Sequence, residues 1–160
     1  MYERVLIVVA DEPAIDRAVE EALCLAGADA RFRLVHVLQP AAHITGFERP
    51  SVYIGQILPA LREHGERLLR CAWKKLAREG RVADTRLIDD GPLTIDQAIV
   101  AEAARWGADL IVMSTHGRHG LDRLAMGSHA EAVLRHTPVP VLLVRDAGPH
   151  RHEKADNSTG

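Results

Sequence analysis

Gly117, Gly127 and Ser128, with the side chains between them, are the residues of this sequence best suited to holding an anion. They lie in Ser114-Thr-His-Gly-Arg-His-Gly-Leu-Asp-Arg-Leu-Ala-Met-Gly-Ser128, which joins an apolar run to the last helical pattern. Asp109-Leu-Ile-Val-Met113 has the short, continuous apolar character of a strand buried on both faces. Ser128-His-Ala-Glu131 has the capping-box pattern, with Ser128 as the capping residue of a helix. Such a helix would aim unpaired N–H groups and the positive end of its dipole at the loop, beside a glycine with no side chain in the way. The chemistry is phosphate binding, with Arg118, His116 and His119 available to add charge.

The elements needed to position that loop can be read in chain order. Arg4 to Ala10 is a buried strand, with Asp11 at its carboxyl end. Helical spacing of Ile15, Ala18, Val19, Ala22, Leu23 and Ala26 predicts a crossover helix over 14–26, with Pro13 in its first turn and Gly27 to stop it. Phe32 to Leu38 is the second strand and completes a right-handed βαβ unit. From Gln39 to Gly55 no period is sustained, and this predicts a long surface loop, either a lid or an excursion that touches no ligand. Leu58 to Gly80 is a long amphipathic helix, and Ala83 to Ile88 a short, charged strand suited to a sheet edge. A second capping box, Thr94-Ile-Asp-Gln97, opens a helix whose Ile95, Ala98, Ile99, Ala103 and Trp106 share a face before Gly107. A helix from Ser128 to His136 and a fifth strand from Val139 to Arg145 follow. Pro140 lacks a donor, which makes the start of that strand an edge. The polar stretch 146–160 is expected to be a disordered tail, leaving one domain over 1–145.

Strands alternating with helices define an α/β, three-layer, doubly wound parallel sheet. In such sheets ligands bind outside the carboxyl ends of the strands, where the winding reverses.

Nine residues, Arg118 to Met126, separate Gly117 from Gly127-Ser128. With the ending Thr137-Pro-Val-Pro-Val-Leu-Leu-Val-Arg145, this spacing resembles the universal stress protein family, whose nucleotide-binding members carry G-x2-G-x9-G-[S/T] there. Ser114 stands in place of the motif's first glycine, and Glu12-Pro13 where the family often has Gly-Ser. The resemblance covers Met1 to Arg145 and implies the adenine-nucleotide alpha hydrolase-like strand order 3-2-1-4-5, with reversal between the first and fourth strands. It further implies that Ala10, Val37 and Met113 pack around an adenine base and that Asp11 lies near the ribose. Gly117, Gly127, Ser128 and the His129 N–H would hold the phosphates, with Arg118 able to add charge there, and Ser114, at the motif's first position, would lie against the nucleotide. The implied ligand is ATP, or ADP or AMP, with Mg2+ carried by the phosphates.

The family and the exposed apolar edge of Val141 to Val144 together imply a homodimer through the fifth strand, Val139 to Arg145. The function that follows is a cytoplasmic stress-response or signalling protein, with at most slow hydrolysis. The alternative is a dimeric scaffold of the same fold that binds no nucleotide, as the departures at Ser114 and Glu12-Pro13 would allow.

Other chemistry lacks its residues. The sequence has no G-x4-G-K-[S/T], and Gly117-Arg-His-Gly120 has neither the third glycine nor the position of a dinucleotide fingerprint. Ser128 lies in no nucleophile elbow. His116 and His119 are joined by no cysteine or carboxylate pattern that would make a zinc site. Cys24 and Cys71, both in helical patterns, read as reduced, small apolar side chains. A formal charge of −2 gives no general attraction to nucleic acid or an acidic membrane. No apolar run approaches ~18 residues, so neither a signal peptide nor a membrane span is expected.

Overall fold

A computed structural model describes residues 1–38, 52–89, 93–114 and 127–145. Their strands are β1 (Tyr2–Val8), β2 (Ala26–Val37), β3 (Val82–Ile88), β4 (Leu110–Ser114) and β5 (Val141–Val144). The helices are α1 (Glu12–Leu25), α2 (Leu58–Arg78), α3 (Ile95–Trp106) and α4 (Ser128–His136). All strand pairs are parallel and the order is β3-β2-β1-β4-β5, as expected. Because β1 leads outward to β2 and β3, and β4 then starts on its other side, the winding reverses between β1 and β4.

Side-chain alternation along each strand feeds two cores. Val5, Ile7, Val9, Phe32 and Leu34 point to the layer of α1 and α2, where they meet Ile15, Val19, Leu68 and Leu76. Leu6, Val35, Ile111 and Met113 point to the layer of α3 and α4, where they meet Ile99, Trp106, Ala130 and Val133. The central strands are apolar on both faces because both faces are covered. Each fully buried Leu or Ile contributes about 1.5–3 kcal/mol.

Several boundaries differ from the sequence expectation for identifiable reasons. Asp11 caps α1 by accepting from the Ala14 N–H at 3.4 Å, so the helix starts at Glu12. No turn separates α1 from β2: Ala26 is already extended, and Gly27 lies inside the strand instead of ending the helix. Tyr2 pairs with Ala26 and Arg4 with Arg31, a register shift that lengthens β2 at its start. A π-helical turn, Tyr53–Ile57, precedes α2, so the irregular stretch does not reach Gly55. Pro59 has no N–H for the carbonyl four residues earlier, which stops the α pattern from running back through Gly55. The rest of the expected loop, 39–51, and the expected tail, 146–160, lie outside the described residues.

The α3 capping box forms, with the Gln97 side chain accepting from the Thr94 N–H at 3.1 Å. Gly107 ends that helix at φ 74°, the left-handed position glycine adopts without a Cβ penalty. β3 is an edge strand, as its charges suggested, and β5 is the other. Cys24 and Cys71 are free, as expected, but both are exposed. Among the described residues no helix is long and apolar enough to cross a membrane.

Candidate functional site

At the winding reversal, the Ile7–Val112 register continued by two residues brings Val9 beside Ser114. Ala10, Asp11 and Ser114 line one notch there, together with Ala14 and Ile15 of α1 and Ala72 of α2. Its floor is held by backbone and side-chain bonds: the Val9 N–H donates to Val35 O at 2.8 Å, and His36 Nδ1 lies 2.7 Å from Val9 O. The sequence reading did not single out His36, yet strand alternation from Leu34 puts it on the α2 side of β2, within reach of the end of β1.

The notch is narrow in this conformation. The space its residues enclose is about 10 Å³, room for one water and not for a nucleoside. No non-glycine residue among those described has a positive φ, so Ser114 carries no left-handed strain in place of a glycine. Any objection to serine there is one of bulk.

The remaining site candidates fall elsewhere at the same carboxyl end of the sheet. Met113 is buried in the α3–α4 core and Val37 packs against it, on the opposite face from Ser114. Helix α4 opens with Gly127 at its cap, not Ser128, and no side chain caps it. Glu131 does not reach back; its carboxylate pairs with Arg135 at 2.5 Å, while its N–H makes the first helical bond, to Gly127 O at 3.1 Å. The N–H groups of Ser128, His129 and Ala130 therefore have no acceptor within the helix. Gly127 has φ −59°, an angle open to any residue, so only close approach of another group would demand a glycine there. Ser128 and His129 are exposed. Gly117, Arg118, His116 and His119 lie outside the described residues. No group of three His, Cys, Asp or Glu suited to a metal occurs among the described residues.

A five-stranded parallel sheet in the order 3-2-1-4-5, with helices on both faces and a notch at the reversal point, defines an adenine-nucleotide alpha hydrolase-like α/β protein. The family model described as "Universal stress protein family" matches residues 1–145, and the chain belongs to that family. It is 31% identical over 152 residues to universal stress protein A homolog 2 of Coxiella burnetii, a match covering 92% of this chain and 97% of that one. A putative universal stress protein of Staphylococcus epidermidis is 32% identical over 147 residues, covering 90% and 84%. Among solved structures, hypothetical protein MJ0577 superposes with a TM-score of 0.76 at 21% identity, covering 93% of this chain and 99% of that one. A universal stress protein in complex with cAMP gives 0.60 at 19% identity, covering 91% and 98%. The Archaeoglobus fulgidus protein in complex with dAMP gives 0.59 at 20% identity, covering 89% and 97%.

Proposed function

We propose that this chain binds an adenine nucleotide at the carboxyl ends of β1 and β4, as a homodimeric stress-response or signalling protein of the cytoplasm. The observation that carries the reading is the convergence of Ala10, Asp11 and Ser114 on one notch where the winding reverses. Structural relatives in complex with cAMP and dAMP support the ligand class. In this reading the base and ribose lie over the notch near Ala10 and Asp11, while Val37 and Met113 support the strand ends from the core on the other face of the sheet. The phosphates meet Gly117, Arg118 and Gly127 and the N–H groups of Ser128 and His129, which have no acceptor within the helix, with Mg2+ carried on the phosphates. With no lysine fixed on the β and γ phosphates, hydrolysis is slow at most. The ligand has to widen the notch, and this cost lowers its affinity by the fraction of molecules already open.

Titration with Mg-ATP tests the reading. Gly117→Val and Gly127→Val should abolish binding while circular dichroism stays that of the parent. Equal affinity in parent and variants overturns the site. The narrow notch favours a second reading, a scaffold of the same fold without nucleotide; purified protein free of bound adenine nucleotide and silent in the titration would establish it. Homodimerisation is supported by β5, an outer strand whose Val141, Leu142 and Leu143 are only half-buried. Light scattering at micromolar concentration should give twice the chain mass, and a monomer would rule out the pairing.

A further inference from the structure

The peptide unit joining Val9 to Ala10, at the rim of the notch, is held by a side chain where the sheet lets it go. β1 ends at Val8, but the Val9 N–H still donates to Val35 O at 2.8 Å, so Val9 faces β2. In a parallel ladder the donor due at Val9 O is the Val37 N–H, and no such bond forms. His36 Nδ1 stands there instead, 2.7 Å from Val9 O. A carbonyl oxygen only accepts, so Nδ1 carries the proton and donates. The ring has little room to turn away. A Cβ added at Gly65 would lie 2.6 Å from His36 Cδ2, which puts the imidazole flush against the α2 backbone.

This bond has a consequence on the far side of the same peptide. A trans peptide is planar, and its C=O and the following N–H point in opposite directions. No cis bond occurs among the described residues. Holding Val9 O toward β2 therefore turns the Ala10 N–H toward β4, across the notch that Ala10, Asp11 and Ser114 line. The Ala10 N–H has no hydrogen-bond partner among the described residues. Ala10 is half-buried, and a donor so placed gains by meeting an acceptor.

Resting on the nucleotide reading above, we propose that His36 is a positioning residue of that site. It orients the peptide between Val9 and Ala10 so that the Ala10 N–H donates to an acceptor atom of the nucleoside, and it acts without touching the ligand. Asp11 follows in the chain, so the same bond sets where its carboxylate stands.

The test combines calorimetric titration with Mg-ATP, thermal melting, and NMR of the nitrogen-15-labelled full-length chain, for the parent, His36→Leu and His36→Asn. Leucine fills much of the space but has no donor, whereas asparagine is smaller and carries its amide nitrogen about where Nδ1 stands. Mg-ATP should shift the Ala10 amide in the parent. Without nucleotide, His36→Leu should already move that amide, which shares a peptide plane with Val9 O. It should weaken Mg-ATP about fivefold or more, while His36→Asn should stay within about threefold of the parent. A packing role alone predicts the opposite order, since asparagine leaves a void and leucine does not. If His36→Leu does not fold, His36→Gln, whose amide nitrogen lies near the Nε2 position, takes its place with the same expectation. A parent that binds while His36→Leu binds equally well, or affinities that follow the melting temperatures, overturns the role of His36 and leaves the nucleotide reading standing. An unmoved Ala10 amide in folded His36→Leu also overturns it. A parent silent in the titration overturns both.

Discussion

Asp96, in the first turn of α3, faces His136 at the end of α4, with Asp96 Oδ2 3.4 Å from His136 Nδ1. This contact joins the two helices that cover one face of the sheet, close to where α4 must be held if its amino end is to meet a ligand. Burial pushes the Asp96 carboxyl up, but the Thr94 hydroxyl, the backbone N–H of Asp96 and His136 together hold it below the ordinary carboxylate value of 3.8. A folded-state pKa below the unfolded one adds stability above the unfolded pKa, and that stability is lost as pH falls through the folded pKa. Asp96→Asn should therefore lower the melting temperature at pH 7 by about 3 °C, for a loss of about 1 kcal/mol. The difference from the parent should shrink as pH falls from about 5 toward 3 and below. A gap that stays constant across that range would remove Asp96 from the acid response.

Glu102 is only 4% exposed and holds Arg33 at 2.9 Å and Arg105 at 2.7 Å. Hydrogen bonding to Asp84, opposed by burial and assisted by Glu102, raises the Arg33 pKa above its ordinary value, so the guanidinium stays charged. Removing one member of a buried pair strands the other, at a cost of about 3–5 kcal/mol. Arg33 retains Asp84, which puts Glu102→Ala near the lower bound, about 3 kcal/mol, and Glu102→Gln below it. Urea midpoints at pH 7 check the order, and a Glu102→Ala midpoint equal to the parent's would contradict it.

The fold was legible where local chemistry and tertiary need coincide. The α3 capping box and the Gly107 stop are each set by a few neighbouring residues, and the central strands β1 and β4 carry the apolar runs Val5 to Val8 and Leu110 to Met113 because both faces are covered there. The start of β2 was not legible, since Ala26-Gly-Ala-Asp-Ala30 has no β-branched residue and is extended by pairing with β1. Ser128 looks like a cap in sequence, but the chain turns one residue earlier, at Gly127. Glu102 carried a signal that periodicity supplies: it stands three residues after Ile99 and four before Trp106, on the apolar stripe, where a carboxylate implies buried guanidiniums. For the site, the sequence brought Ala10, Asp11 and Ser114 to one notch, but it could not separate the two faces on which Ser114 and Met113 lie.

Gly65 is buried in α2, and a Cβ added there would lie 2.6 Å from His36 Cδ2 and 2.7 Å from Leu87 Cδ1. Alanine in a helix interior ordinarily gains about 1 kcal/mol over glycine. Here the His36 ring is backed by Val9 O and cannot withdraw freely, so overpacking of about 1–3 kcal/mol should cancel or outweigh that gain. Gly65→Ala should be neutral to about 2 kcal/mol destabilising in urea unfolding. A clear stabilisation would mean that His36 moves at little cost.

Asp11 has two roles that one substitution can separate. As the α1 cap it accepts from the Ala14 N–H, and as part of the notch it lies where the ribose is proposed to bind. Asparagine is as good a capping residue as aspartate, whereas alanine forfeits about 1 kcal/mol. Asp11→Asn should therefore unfold close to the parent midpoint, and Asp11→Ala should unfold earlier by that amount. If the carboxylate accepts from the ribose hydroxyls, both variants should lose nucleotide affinity, and asparagine, which keeps one acceptor oxygen, should lose less. The charged acceptor contributes about 1.5–3 kcal/mol, so Asp11→Ala should weaken Mg-ATP about tenfold or more by calorimetric titration. Affinity that follows α1 stability alone, intact in Asp11→Asn and reduced only as far as the cap is lost in Asp11→Ala, would leave Asp11 a helix cap and move the ribose elsewhere.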